Sequence, residues 1–470
     1  MGAMVKQVFG ELSEQLRRYG QQHVLRWWND LDAAQRDSLI EQIRRIDFEA
    51  VRSMLDGRNN PGGDVGDESE IRPAARVVRL PKEPVEEQAW SAAVERGNQA
   101  LASGKVGVIL VAGGQGTRLG FQHPKGMLPI GPVSGATLFQ ILAEQLLARS
   151  RRAGSPLPCY VMTSDATHDE TIAFFRQHGC FGLNAGDVRF FKQGTMPAVD
   201  RRTGNILLAE KGAIAMSPDG HGGMLDALHL SGCLDDMRRR GVELLYYHQV
   251  DNPTAIVCDP AFLGFHILRD SEMSTKVVAK RDASEKMGVV VDRGGKTQIV
   301  EYIDLPPSLA RAVDEGGNLL HWAGNTAIHV FSRKFLDRLV AENMRLPLPC
   351  SAKKVPFLDD AGNVVVPETE NAIKFERFIF DVLPCARSAL VVEADRAREF
   401  NPVKNAEGND SPETARAAMH AVYRGWLYSA GIDLPDGRPI EISPLFALDA
   451  EDVKKRLSPD RRFDGPVFLN

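Results

Sequence analysis

VGVILVAGGQGTRLGFQHPK, residues 106–125, decides how the rest of the chain is read. The run Val106 to Ala112 is short, apolar and β-branched, as a strand covered on both faces should be. It breaks into Gly113, Gly114 and Gly116, and three glycines so close together let backbone N–H groups approach an anion with no Cβ in the way. Arg118 and Lys125 can carry the countercharge. The helix comes only later, from Thr137. A phosphate-handling loop is the use these residues support, against the plainer alternative of a glycine turn that merely joins strand to helix.

Two familiar glycine motifs do not fit this loop. A Walker loop needs Ser or Thr after its lysine, whereas Lys125 stands between Pro124 and Gly126. The dinucleotide fingerprint, laid on Gly114 and Gly116, asks for glycine where Leu119 stands. Nicotinamide and P-loop chemistry therefore recede.

At 470 residues the chain is long enough for one large core with one or two attached units. A formal net charge of -5 argues against nonspecific nucleic-acid binding, so an anionic nucleotide has to be met by local cations. Six cysteines are scattered without a C-x-x-C pair, which reads as reduced thiols in a cytoplasmic protein rather than a zinc or redox site. No apolar run approaches the roughly 20 residues of a membrane span, and the start lacks a signal peptide's order of charge and apolarity. Met1-Gly2-Ala3-Met4 reads as an expression scar, with Met4 the natural start.

From Leu12 to about Leu55 the spacing of Leu16, Tyr19, His23, Val24 and Trp27 predicts helix, with Asp30 or Asp32 capping a second one. Asp56 to Ala75 is rich in Gly, Asn, Asp and Pro and reads as a linker or exposed loop. After a connecting helix near Val85 to Ser103, strands and helices alternate as a parallel sheet with crossovers requires. The expected elements are a helix from Thr137 to Arg149, a strand Cys159–Thr163, a helix opened by a Thr167/Glu170 capping box, and a strand Val188–Lys192. Gln193 follows that strand, at the end where ligands collect in open α/β sheets. Its amide offers the donor and acceptor that the imide edge of uracil needs, although a lone exposed Gln is more often simply solvated. The glycines of Pro218 to Gly223, among them Gly220 and Gly222, would let backbone amides reach a base and ribose, with His221 between them.

The strand Leu244–Val250 ends in Asp251, a carboxylate beside the presumed phosphates. Magnesium takes one or two carboxylates plus phosphate oxygens and waters, which makes Asp251 the metal candidate; the alternative is a turn former or helix cap. Strands are expected at Ser274–Lys280, Gly288–Val291 and Thr297–Tyr302, the last two a hairpin through Gly294-Gly295. Glu301 would lie on the returning strand and accept hydrogen bonds from sugar hydroxyls. Gly288 would allow close passage of the sugar, and Asn325, preceding a strand Thr326–Phe331, has an amide suited to it. Bland alternatives are a solvated glutamate, a bulge and a turn, and for all three most of the weight comes from the family resemblance carried by QIVEYIDLP and HWAGN. Later come an expected helix Asn371–Leu383, a strand Ala389–Glu393, a helix Pro412–Tyr428, a turn at Pro435-Asp436-Gly437 and a small β-containing tail from Ile440 to Asn470.

GGQGTRLG followed by PKG resembles the UDP-N-acetylhexosamine pyrophosphorylases, eukaryotic-type UDP-sugar pyrophosphorylases. QGTMPAVD, MSPDGHGGM, VDNP, QIVEYIDLP, HWAGN, NAIKFERFIFD and NPVKNA extend the resemblance over most of the chain. Ala112 and His123 side with the N-acetylhexosamine branch, while His221 departs from the asparagine of the eukaryotic members. The resemblance implies an α/β, Rossmann-like nucleotide-diphospho-sugar transferase (GT-A-like) mixed sheet flanked by helices. It divides the chain into an N-terminal helical region (1–100), a catalytic domain (101–405) and a C-terminal helix with a small β unit (406–470). It also implies the reaction: a sugar-1-phosphate oxygen attacks the α-phosphorus of UTP, and UDP-sugar and pyrophosphate leave. The nucleophile is already charged, so no general base is needed. Arg118 and Lys125 would meet the α-phosphate and leaving pyrophosphate, Lys404 the sugar phosphate, and Mg²⁺ on Asp251 would bridge phosphates, with Lys374 a further phosphate candidate. For Lys404 the NPVKNA match carries the assignment. No nucleic acid or membrane partner is expected, and the chain would be a monomer or weak homo-oligomer. The rivals are a UDP-glucose or broad-specificity pyrophosphorylase, a UDP-sugar-dependent glycosyltransferase, and a non-catalytic nucleotide-binding protein.

Overall fold

The computed structural model describes residues 3–58, 70–435, 437–463 and 465–470. Most of the expected loop before Ala75 and the turn at Asp436 lie outside these residues. The chain forms two compact units: 67–192, 224–344 and 380–470 make the larger, and 1–66, 193–223 and 345–379 the smaller.

The larger unit is built on a mixed sheet in the order Val77–Val78, Ala389–Glu393, Met273–Ala279, Ala323–Ser332, Leu244–Gln249, Val106–Val111, Cys159–Thr163, Val188–Lys192. Ala323–Ser332 runs antiparallel to both neighbours, and the other neighbours on this path are parallel. Val106–Leu110 and all of Cys159–Thr163 are buried, as apolar strands covered on both faces must be. Three strands, at 159–163, 188–192 and 389–393, have the expected bounds, and the others move by one to three residues at an end.

Leu138–Ala153 is capped by the Thr137 hydroxyl, which accepts from the Gln140 N–H, and its Leu138, Ile141, Leu142 and Leu146 are buried. The capping box at Thr167 is not formed. That hydroxyl accepts from the Ser164 N–H at 3.1 Å instead, and Glu170 is engaged by His123. The hairpin through Gly294-Gly295 is present, pairing Val289–Arg293 with Lys296–Val300. Glu301 therefore stands just beyond the returning strand, and Asn325 lies inside Ala323–Ser332 rather than ahead of a strand. In the tail Ile440–Ile442 pairs in parallel with Val467–Leu469, with the helix Ala450–Arg456 between them in the chain.

In the smaller unit the expected long helical stretch is broken. Gly20 takes a positive φ of 68°, two 3-10 turns follow at Gln22–Leu25 and Trp28–Asp30, and Asp32 then caps Ala33–Arg45 in a capping box with Gln35. Leu16, Val24, Trp28, Leu39 and Ile43 share a core with Ile206, Ile214, Ile373 and Phe375. The helix expected over Asn371–Leu383 is instead a strand, Ala372–Phe375, and a 3-10 turn, Ile379–Cys385. Pairing on both edges, with Cys350–Lys353 and Val199–Asp200, overrides the local preference and buries Ile373 and Phe375 on alternate positions.

Candidate active site

Two adjacent parallel strands of the larger unit set the first group of candidates side by side. Gln249 registers with Val111, and the Val250 N–H donates to the Val111 carbonyl at 3.0 Å, so Asp251 leaves the sheet beside Ala112, Gly113 and Gly114. Ala112 is buried, its N–H donating to the Met162 carbonyl at 2.7 Å, and the Gly113 carbonyl accepts from the Ser164 hydroxyl at 2.8 Å. Among the described residues, its two chain neighbours aside, no protein atom lies within 4 Å of where a Cβ on Gly114 would stand. The loop then closes on itself: the Gly116 N–H donates to the His123 carbonyl at 2.9 Å and the Lys125 N–H to the Gly114 carbonyl at 3.0 Å. This closure returns Lys125 to the strand end, with its Nζ 3.7 Å from Asp251 Oδ2. Arg118, exposed on the Thr117–Leu119 turn, makes no ion pair among the described residues.

A second group lies on the same unit. The Asn325 N–H donates to the Gly288 carbonyl at 2.8 Å, and a Cβ on Gly288 would stand 2.9 Å from Glu301 Oε1, so only glycine lets that carboxylate approach so closely. Burial holds the Glu301 carboxyl above its ordinary range, helped by Asp304 and opposed by the nearby charge of Lys404. Lys404 is exposed and its N–H donates to the Asp410 carbonyl at 2.7 Å, while the preceding Val403 N–H donates to the Asp251 carbonyl at 2.8 Å. The 401–405 segment thus links the two groups. The Asn325 amide oxygen accepts from the Ala327 N–H at 3.0 Å, stabilising a positive φ of 56° at Ala327.

The remaining candidates belong to the smaller unit. The Asp219 N–H donates to the Gly194 carbonyl at 3.1 Å, placing the turn that holds Gly220, His221 and Gly222 next to Gln193, which is itself buried. Gly220 has φ of 86°, and a Cβ there would fall 2.4 Å from the Arg377 carbonyl oxygen. His221 is not a free turn residue. Its Nδ1 accepts from the Ile379 N–H at 3.2 Å, which assigns the remaining proton to Nε2, and burial pushes the imidazole below its usual value. Lys374 stands opposite Ser351 on the Ala372–Phe375 strand, and no hydrogen bond or ion pair joins it to another candidate among the described residues. Sequence reasoning missed Arg377. Its Nη1 lies 3.9 Å from Asp219 Oδ2, its N–H donates to the Asp219 carbonyl, and its own carbonyl accepts from Gly222, so it braces the glycine turn. The only signal was its place in NAIKFERFIFD.

The donor set admits a hard cation only in one way. Among the described residues no three His, Cys, Asp or Glu side chains converge as a metal cluster. The Asp251 carboxylate accepts no hydrogen bond among them, so its oxygens are available. One carboxylate completed by phosphate oxygens and water fits magnesium's usual habit.

The profile of the UTP–glucose-1-phosphate uridylyltransferase family matches residues 67–458. The chain is 36% identical to the human UDP-N-acetylhexosamine pyrophosphorylase-like protein 1 over 98% of this chain and 97% of that one. It is 35% identical to the Saccharomyces cerevisiae UDP-N-acetylglucosamine pyrophosphorylase over 96% of each. The solved uridine diphosphate N-acetylglucosamine pyrophosphorylase of Trypanosoma brucei superposes with a TM-score of 0.84 at 26% identity, covering 98% of both chains. With its mixed sheet, its closed glycine loop and likeness along nearly its whole length, the chain belongs to the UTP–glucose-1-phosphate uridylyltransferase family of nucleotidyltransferases, the UDP-sugar pyrophosphorylases.

Proposed function

We propose that this protein transfers a uridylyl group from UTP to an N-acetylhexosamine-1-phosphate, giving UDP-N-acetylglucosamine (or its galacto epimer) and pyrophosphate. The observation that carries the reading is the Lys125–Asp251 pair, held at the ends of two adjacent strands by a loop that closes on itself. In this reading Lys125 and Arg118 neutralise the α-phosphate and the leaving pyrophosphate, and Lys404 orients the attacking sugar phosphate. Backbone N–H groups around Gly113 and Gly114 approach the phosphates, while Gly288, Glu301 and Asn325 line the sugar. Gln193, Gly220, His221 and Gly222 take the uracil and ribose, an assignment resting on the motifs, and Lys374 is the weakest phosphate candidate. A Mg²⁺ ion held by Asp251 would supply further charge neutralisation. Residues 101–405 form the catalytic portion in this reading, and the protein works in the cytoplasm as a monomer or weak homo-oligomer.

Incubating the protein with UTP, Mg²⁺ and a panel of sugar-1-phosphates, and reading pyrophosphate, tests the proposal. Release with N-acetylglucosamine-1-phosphate well above glucose-1-phosphate is expected. The family description favours one second reading, UTP–glucose-1-phosphate uridylyl transfer, and the reverse preference would establish it. A glycosyltransferase or a nucleotide sensor would release no pyrophosphate at all.

A further inference from the structure

Thr167 and Glu170 have the residue types of a capping box, yet neither side chain caps the helix His168–Gln177 that follows. Both lead instead to the glycine loop. Glu170 holds His123 near the loop's far end, and Thr167 holds Ser164, whose hydroxyl donates to the Gly113 carbonyl at the loop's start. A local rule set aside at two positions in favour of the same loop points to a functional reason.

The two anchors differ in weight. Both side chains of the His123–Glu170 pair reach solvent, where such a contact is worth little. Ser164 is 2% exposed and Thr167 is fully buried, and their hydroxyls are satisfied in one consistent way. The Ser164 hydroxyl has one proton and directs it to the Gly113 carbonyl at 2.8 Å, so at the 3.1 Å contact between the two hydroxyls Thr167 is the donor. The Thr167 oxygen in turn accepts from the Ser164 N–H at 3.1 Å. Sheet register sets this up: Val111 pairs with Met162, so two residues further on Ser164 stands beside Gly113.

The Gly113–Gly114 peptide is trans, and tying its carbonyl to Ser164 turns its N–H the opposite way. That N–H makes no hydrogen bond among the described residues, and Gly114 is exposed. Glycine on both sides makes this the easiest peptide of the loop to rotate. Rotated, it would present a carbonyl oxygen where an anion needs a donor. We propose that Ser164 is a positioning residue for the transfer reaction: its hydroxyl, oriented by Thr167, locks the Gly113–Gly114 peptide with the Gly114 N–H turned out toward a phosphate oxygen of the nucleotide. This role rests on the uridylyl-transfer reading and adds to it the device that keeps a donor aimed before the substrate arrives.

The test compares Ser164→Ala, Ser164→Cys and Glu170→Gln with the wild type, measuring steady-state kinetics with UTP and N-acetylglucosamine-1-phosphate beside thermal melting. Ser164→Ala should lower kcat/KM for UTP about tenfold, the scale of one lost hydrogen bond, while KM for the sugar phosphate and the melting midpoint stay near wild type. A merely structural role would move melting and both substrates alike. Ser164→Cys keeps the side chain's shape but donates weakly, so its kcat/KM should also fall, and it decides the matter if Ser164→Ala does not fold. Glu170→Gln should retain wild-type kinetics. Wild-type kcat/KM for UTP in the Ser164 variants, a matched rise in both KM values with lowered melting, or a loss in Glu170→Gln as large as in Ser164→Ala would overturn the proposal. A wild-type protein that releases no pyrophosphate with any sugar phosphate would instead overturn the uridylyl-transfer reading, and this role with it.

Discussion

Lys276 and Lys125 both face carboxylates in the larger unit, and they do so in opposite ways. Lys276 is 2% exposed, with its ammonium 2.7 Å from Asp259 and 2.5 Å from Glu399. Burial alone would depress its pKa, but the two carboxylates outweigh burial and hold it above the ordinary lysine value. The Asp259 carboxyl is correspondingly held low by Lys276 and Arg149 against its own desolvation. Lys125 has one carboxylate at 3.7 Å, both partners reach solvent, and the backbone rather than the charge holds the lysine in place. The closed cluster spends its charges on one another, away from solvent. The open pair has most of its hydrogen-bonding capacity unspent, which is what a site for phosphates requires.

The largest expected effect comes from opening the closed cluster. Lys276→Ala should lower unfolding stability by about 3–5 kcal/mol in urea, because two carboxylates are left buried without their cation. The triple variant Lys276→Met, Asp259→Asn, Glu399→Gln should recover most of that loss. A Lys276→Ala protein as stable as wild type would erase the contrast. Next, Asp251→Asn should reduce turnover on the order of a hundredfold and raise the Mg²⁺ concentration needed for half-maximal rate, with little change in melting temperature. Unchanged metal dependence would remove Asp251 from the metal role. Asn325→Ala is expected to narrow the preference for N-acetylated over plain sugar phosphates by about tenfold, the scale of one hydrogen bond; kcat/KM ratios measure it. An unchanged ratio would take Asn325 out of the selectivity argument.

The smallest effect concerns pH. His266 is buried between the Ser274 and Ser332 hydroxyls, and burial lowers its pKa from 6.5 to about 3; His248 is lowered likewise to about 4. The unfolded chain therefore binds protons that these two refuse when folded. Their contribution to stability is full above pH ~6.5 and declines as pH falls toward the folded values. Between pH ~6.5 and ~5, before carboxylates dominate, the unfolding free energy should fall with acidification, and His266→Gln should make that slope shallower by up to one proton. An identical slope in the variant would mean His266 is protonated in the folded protein.

The two lysine sites also differ in how they can be read from sequence. Val106–Val111 and Leu244–Gln249 are largely buried, adjacent parallel strands, and once their order is seen, a lysine after a glycine turn and an aspartate after a strand converge by sheet geometry. Lys276 lies inside a strand with partners 17 and 123 residues away, and no local pattern announces either. The same holds for Arg377, whose partner turn is distant in sequence, and for Ala372–Phe375, where pairing on two edges decided a segment that local spacing assigned to helix. The settings of Glu301, just beyond its strand, and Asn325, inside one, were not legible. A strand that ends two residues earlier and a register shift between Lys276 and Val277 are consequences of tertiary pairing.

The open pair is most directly tested by Lys125→Ala, with pyrophosphate release from UTP and N-acetylglucosamine-1-phosphate measured beside urea unfolding. Turnover should drop by on the order of a hundredfold or more while the unfolding midpoint stays near wild type. Turnover close to wild type, or a loss fully accounted for by unfolding, would contradict the assignment of this strand-end lysine to the chemistry.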